Sequence, residues 1–409
     1  MALIQVETSS SIRRNSLWLL LARLTAYGSS ILFVILTARR LNVEAFGQFT
    51  VIAALVMVAN TFTTFGTDTF LIREIAKAQQ VTSVAARALG LQLALSCLWW
   101  LAILFLHPNP LLLLYSLALF PLALLSVASA LLRALERMDL FWSLSLANGF
   151  VQITAAFFSE DVWTLCASLV LGQILIACLG LWICTSYLPR SNLFPSMDFY
   201  PLLRAVWPFA AIMTLSVLSQ RLGILFVFAI EGDVATGLFS SAARLVEGLK
   251  FGHFAVLGAL MPALSRGAAN SRNGFRVGLG GMLGLSILMA GGVMLFAHLL
   301  IHFLFGQEYM SAAGLLSVLS WILVPYTISA FVSIDLVARG REHAVLKAML
   351  FSLLLFLGLY FVMINKYGLY GAACAALVGE ISQAAILIWV ARRTTQVSPS
   401  HLDNANETI

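Results

Sequence analysis

Lysine and arginine fall almost wholly in alternate gaps between long apolar runs, and this spacing constrains the fold more than any other feature. Hydrophobic residues make up 61% of the 409 and charged residues 10%, with a mean hydropathy of +0.95. A soluble surface of that composition would be one continuous apolar patch, so the chain reads as an all-α integral membrane protein. A span needs roughly 20 apolar residues. Twelve stretches qualify: 15–37, 46–66, 83–106, 110–132, 142–158, 162–188, 203–230, 236–262, 276–303, 311–334, 345–364 and 370–391. With the N-terminus assigned to the cytoplasm, the inner gaps hold seventeen Lys and Arg residues and the outer gaps only Arg39, Arg40 and Lys366. Positive loops resist translocation, so both termini are expected on the cytoplasmic side of a cell inner membrane. The net charge of +6 then reflects topology and anionic lipid headgroups, and no nucleic-acid partner is expected. The first run follows Arg13-Arg14 but is too long for a leader and lacks a small-residue cleavage site, so it is read as helix one.

A polar connection carrying Pro189, Pro195 and Pro201 follows the sixth run. It divides the chain into an N-terminal lobe at 1–190, a cytoplasmic linker at 191–202, a C-terminal lobe at 203–392 and a polar tail at 393–409. The pattern G-x-F-x-x-x-A-x-L-V occurs at Gly47–Val56 and again at Gly237–Val246, each time opening the second helix of a half. Six helices per half insert both halves the same way up, which predicts a parallel repeat with its pseudo-twofold along the membrane normal and a cleft between the lobes.

Four cations fall inside spans: Arg23, Arg221, Arg244 and Lys250. Each costs at least ~2.5 kcal/mol at bilayer depth, so such residues face protein or a wet cavity. At the rise of an α-helix, Arg221 and Arg244 each lie on the order of 12 Å from the outer ends of adjacent antiparallel helices. Arg244, Glu247 and Lys250 share one helical stripe, so Glu247 is expected to pair with Arg244 or Lys250. Arg221 has no carboxylate near it in sequence, and nothing in its own helix neutralises Glu380. Arg23 either lines the cavity or snorkels to the inner surface. A net-positive lumen suits a substrate carrying phosphates, with Arg221, Arg244, Lys250 and Arg23 as its binding residues. Glu380, Glu247 and Asp68 are the candidate ion-coupling carboxylates, and Asp68 also reads as a cap for the short helix leading to Arg73-Glu74. Pro121, Pro208, Pro262 and Pro325 are expected to kink their helices.

No catalytic motif, metal-ligand spacing or cofactor signature appears, and the outer gaps are too short to build a catalytic domain, so the protein reads as a non-enzyme without cofactor. Cys97, Cys166, Cys178, Cys184 and Cys374 read as small core hydrophobes within helices.

Several segments resemble a known family. They are Ala38-Arg39-Arg40-Leu41 with Glu44–Phe49, Phe65-Gly66-Thr67-Asp68 with Leu71–Glu74, Gly237–Arg244 with Leu260–Arg266, and Phe305–Tyr309. Together they are similar to the Wzx-type oligosaccharide flippases, in the superfamily that also holds multidrug exporters and lipid II flippases. The resemblance implies a V-shaped, MATE-like transporter with six helices per lobe. It would move a polyprenyl-diphosphate-linked oligosaccharide to the outer leaflet, among membrane lipids and beside polymerase or ligase machinery. Family members often place an acidic residue shortly after the arginine of helix seven, and Arg221-Leu222-Gly223-Ile224 has none. Lipid II flippases usually carry two further C-terminal helices, so twelve spans argue against that branch. A cation-coupled multidrug exporter would predict acidic rather than basic residues in the lumen. A polysaccharide polymerase or ligase would need large outer loops.

Overall fold

The computed structural model describes residues 9–75, 81–106, 109–186, 200–265 and 271–395. Every regular element among them is helical: α1 Ser9–Arg40, α2 Val43–Thr64, α3 Thr67–Ile75, α4 Val81–Leu106, α5 Pro110–Ser116, α6 Leu119–Ala134, α7 Met138–Phe158, α8 Val162–Thr185, α9 Tyr200–Ser265, α10 Ser271–Leu304, α11 Ala312–Leu319, α12 Leu323–Ala338 and α13 Glu342–Thr395, with 3₁₀ turns at Gln307–Tyr309 and Ser320–Ile322. Ten segments among the described residues are long and apolar enough to cross a membrane, which makes this a multi-pass membrane protein. Leu98, Phe150, Leu175, Trp182, Leu288 and Phe303 are all well exposed, as side chains facing lipid must be.

Local chemistry sets the helix ends. The Asn42 side chain accepts from the Ala45 amide at 2.7 Å and opens α2. Asp161 and Thr164 cap one another reciprocally at the start of α8. Asn109 caps α5, with Pro110 in the first turn where its missing N–H is harmless. The prolines act where the sequence places them. Pro121 cannot donate to the Leu117 carbonyl, and the run read as one helix at 110–132 is broken between Ser116 and Leu119. Pro325 cannot donate to the Trp321 carbonyl, and the chain tightens into the 3₁₀ turn at Ser320–Ile322 before α12. At Pro208, by contrast, α9 runs on without leaving helical dihedrals.

Two long helices fold back on themselves. α9 breaks at Gly232 (φ 81°, ψ −168°) and α13 at Gly368 (φ 58°, ψ −142°), each inside a gap between the runs read from sequence. Positive φ of this kind is available to glycine at little cost.

The chain divides into two compact units, Met1–Leu218 and Ser219–Ile409. In the first, α3, α4 and α6 share a core of Leu71, Ile75, Ala88, Leu131 and Leu132. There α1 packs on α7 through Trp18 and Trp142, whose rings lie 5.0 Å apart, and Trp142 Nε1 donates to Thr25 Oγ1 at 3.1 Å. Val206 of α9 also belongs to this unit and packs with Leu91, Phe65, Phe70 and Leu95. In the second unit α10 meets α12 through Met282 and Phe331, and the Ser286 and Thr327 hydroxyls bond at 2.7 Å. Residues 187–199, most of the expected linker, and the tail beyond 395 lie outside the described residues. All five cysteines are free, but only Cys166 and Cys184 are buried. Cys97, Cys178 and Cys374 are exposed on apolar helices, which corrects the expectation of five core cysteines: a thiol in a span is equally at home against lipid.

Candidate functional site

The turn at Gly232 lays the two arms of α9 side by side and brings Arg221 opposite Glu247, 26 positions away. Their close approach depends on Gly223. A Cβ there would meet the Phe239 ring at 3.1 Å and the Tyr360 hydroxyl at 2.8 Å. Tyr360 lies between Phe226 and Phe356, with ring centroids 6.0 and 6.2 Å away, and so ties α9 to α13. The fold of α13 at Gly368 then sets its second arm, which carries Glu380, against its first: a Cβ on Gly379 would overlap the Phe356 ring.

Five charged side chains meet on this scaffold. Arg221 Nη1 donates to Glu247 Oε1 at 3.1 Å, and Arg244 Nη1 donates to Glu247 Oε2 at 3.0 Å. Lys250 turns away from Glu247 and donates to Glu380 Oε1 at 3.1 Å, with its Nζ 4.4 Å from the Tyr326 ring centroid. Arg221 is 3% exposed. The absence of a carboxylate near Arg221 in sequence is made good by folding, and the charge on Glu380 finds its partner on a neighbouring helix. Pairing of Glu247 with Arg244 holds, and its pairing with Lys250 gives way to the contact with Glu380. The physical reason is general: a lone charge in an apolar span costs more than the same charge held against its opposite.

Compensation stops short of neutrality. Three cations face two carboxylates, which leaves one net positive charge on the cluster. Arg221 Nε and Glu380 Oε2 are buried with no hydrogen-bond partner among the described residues. The arrangement therefore offers guanidinium and ammonium donors with one positive charge in surplus, the chemistry that holds a phosphate group.

Arg23 and Asp68 belong to the other unit. Arg23 is exposed on α1 and has no ion-pair partner among the described residues. Asp68 lies in the first turn of α3, where its carboxylate accepts from Ser126 Oγ and sits 3.7 Å from Arg133 Nη2. Burial raises the Asp68 carboxyl above its ordinary range, against the opposing pull of Ser126 and Arg133. Sequence reasoning missed Arg133, Ser126 and Tyr326 as partners, because each is joined to its site by folding and not by spacing along a helix.

The Lys250–Glu380 contact yields a direct test. Lys250→Ala is expected to destabilise the protein by roughly 3 kcal/mol, because Glu380 is left buried without its cation. Lys250→Ala combined with Glu380→Ala is expected to recover most of that loss. Thermal unfolding of the purified single and double variants measures both, and additive losses would show that the two residues are not coupled.

The described residues form an all-helical membrane fold with two folded-back helices and paired charges inside its apolar segments. An inward-facing multidrug resistance MATE family transporter of the MOP superfamily superposes with a TM-score of 0.73, at 15% identity, over 92% of this chain and 96% of its own. The lipid II flippase MurJ in an inward closed conformation gives a TM-score of 0.70, at 15% identity, over 92% of this chain and 87% of its own. An outward-facing MATE transporter gives 0.64, also at 15% identity, over 93% and 96%. At these identities the likeness establishes the fold. Residues 12–268 match the polysaccharide biosynthesis protein family, well over half of the chain, and the protein belongs to that family. No curated protein matches it. The family resemblance carried by the Arg39–Phe49 and Gly237–Arg244 segments is thereby borne out.

Proposed function

We propose that this protein moves a polyprenyl-diphosphate-linked oligosaccharide from the inner to the outer leaflet of the cell inner membrane by alternating access. The observation that carries this reading is the Arg221–Glu247–Arg244 and Lys250–Glu380 cluster, which keeps a surplus positive charge inside apolar helices. Membership of a polysaccharide biosynthesis family supplies the glycan, and the fold shared with flippases and exporters supplies the transport. Within the second unit, Arg221, Arg244 and Lys250 bind the diphosphate. Glu247 and Glu380 serve as resident counter-anions that hold the cations in place until a phosphate displaces them. A multidrug exporter would need carboxylates open to cationic drugs, and here both carboxylates of the cluster are already engaged. Loss of the protein should accumulate lipid-linked oligosaccharide on the cytoplasmic leaflet. Normal delivery to the outer leaflet in its absence would refute the reading.

In this reading each arm of α9 and of α13 crosses the membrane separately, which makes twelve spans, six in each sequence half. Their burial supports a repeat. Gly47, Phe49, Thr50, Val51, Ile52 and Val56 are buried, as are Gly237, Phe239, Ser240, Ser241, Ala242 and Val246 at the matching positions. Both termini are cytoplasmic in this reading. An impermeant thiol reagent applied from outside should label a cysteine placed at Glu160 or Asp233 and miss one at Arg137 or Arg272. The reverse pattern would invert the topology.

A further inference from the structure

The second unit carries an apolar groove of about 530 Å³ between the second arm of α13 and α12 with the 3₁₀ turn before it. On α13, Leu377, Ile381, Ala384, Ala385 and Ile388 recur at helical spacing, so one stripe faces the groove. The two alanines at its centre are too small to fill the space, and that leaves the hollow. Ile381 is 51% exposed, so the hollow opens on the surface of the unit. Trp321 stands at one end, where its Nε1 donates to Met294 Sδ of α10 at 3.3 Å. Towards the other end Leu336 of α12 and Leu387 of α13 close together in one core. A hollow with apolar walls forfeits dispersion contacts unless hydrocarbon enters it.

Length and charge select the occupant. From Leu377 to Ile388 the lining runs about 16 Å at the rise of an α-helix. That is roughly half of a 30 Å hydrocarbon core, the depth that one leaflet fills. Charge marks one end only. Arg392 follows Ile388 by one helical turn and continues the stripe that lines the groove. It is exposed and has no ion-pair partner among the described residues. On α12, Arg339 continues the stripe of Ile328 and is held by Asp335 at 2.8 Å. Arg393 stands 4.0 Å from the Trp389 ring centroid. Around this end α12 and α13 carry Arg339, Arg341, Lys347, Arg392 and Arg393 against Asp335 and Glu342. Towards Trp321, by contrast, residues 311–334 and 367–379 hold no charge.

We propose that this groove binds one acyl chain of an anionic phospholipid, with the lipid phosphate on Arg392. The chain enters at the Arg392 end, in the cytoplasmic leaflet of the topology proposed above, and runs towards Trp321. Hydrocarbon fills the hollow beside the alanines, and Arg392 takes the phosphate in charge-assisted hydrogen bonds. Arg339 keeps Asp335, while Trp389 and Arg393 lie at headgroup level, where an indole and a guanidinium are at home. The tail of a transported polyprenyl lipid is the competing occupant, and the cations speak against it. Arg221 and Lys250 do not line the groove, and Lys250 is engaged with Glu380 and Tyr326. A seated chain still bears on that cluster. Leu377 and Ile381 flank Glu380 along α13, and Pro325 precedes Tyr326 on α12, so the chain braces both helices that hold Lys250. The site does not depend on what the protein transports.

The test titrates the full-length protein in detergent with phosphatidylglycerol or phosphatidylcholine of the same chains, and counts bound lipid by native mass spectrometry. Wild type should bind phosphatidylglycerol about fivefold more tightly, the worth of one basic residue at an anionic surface. Arg392→Gln should remove that preference and leave the weaker, chain-driven binding of both lipids. Ala385→Phe fills the hollow from an exposed position and should weaken both lipids about tenfold, because the chain loses its buried contacts. Leu288→Phe, at a site on α10 that is 73% exposed, should change neither. Unchanged binding in Ala385→Phe, or equal weakening by Leu288→Phe, would reduce the lipid to an unspecific coat and overturn the site. A preference that survives Arg392→Gln would overturn it as well. Should Ala385→Phe fail to fold, phosphatidylglycerol brominated in its chain gives a second measurement. It should quench a component of the tryptophan fluorescence that Trp321→Phe lacks, and identical quenching of the two proteins would count against the groove. A sugar-free polyprenyl diphosphate tests the rival occupant. If it displaces phosphatidylglycerol at the lower concentration from wild type but not from Ala385→Phe, the groove belongs to the transported lipid's tail and the proposal falls.

Discussion

Replacement of Arg221 by alanine is expected to abolish glycan translocation and to lower stability by about 3 kcal/mol, and a second substitution separates the two effects. The arginine side chain is 4% exposed and supplies one of the two cations on Glu247. Its removal leaves that carboxylate to Arg244 alone, in surroundings that penalise charge. Adding Glu247→Gln removes the stranded charge, so Arg221→Ala/Glu247→Gln should regain most of the lost thermal stability. Transport should stay absent in the double variant, because the diphosphate has lost its most buried donor. Arg221→Lys should keep part of the activity if charge suffices, and lose it if two parallel N–H donors are required. The measurements are thermal unfolding in detergent and leaflet accessibility of lipid-linked glycan in cells. Recovery of transport in the double variant would show that Arg221 exists only to neutralise Glu247, and the binding role would fall.

Gly371→Ala should be the most damaging substitution in the second unit. Three residues past the turn at Gly368, a Cβ on Gly371 would overlap the backbone carbonyl of Met363. Neither group is a flexible side chain, so relief requires the arms of α13 to part. Parting them moves Glu380 away from Lys250 and disturbs the packing of Tyr360 and Phe356. Overpacking of this kind costs ~1–3 kcal/mol where side chains can yield, and more is expected where backbone must. Little folded protein should be recovered. Gly358 lies on the same helix with nothing within 4 Å of a built Cβ, and Gly358→Ala should be neutral or stabilise by up to about 1 kcal/mol. Equal melting temperatures for the Gly371 and Gly358 variants would contradict the hairpin drawn for α13.

Much of the scaffold was legible before any coordinates. The gaps at 231–235 and 365–369 contain Gly232 and Gly368, where α9 and α13 turn, and Pro121 and Pro325 mark breaks that the helices show. The candidate residues were legible too, since a charge inside an apolar run stands out against its neighbours. Their relations were not. Arg221 looked unpaired because its carboxylate is 26 positions away, and Glu380 looked bare because Lys250 is 130 positions away. Glu247 and Lys250 share a stripe yet take partners on different elements.

What the amino-acid sequence determined by itself is where long apolar helices run, where they break and which charges fall inside them. Hydropathy, the missing proline N–H and glycine's freedom at positive φ all act on a residue and its near neighbours in the chain. The tertiary structure alone decided which cation meets which carboxylate and how much charge is left over. Coulomb energy depends on distance through space, and only the folding back of α9 and α13 fixes that distance.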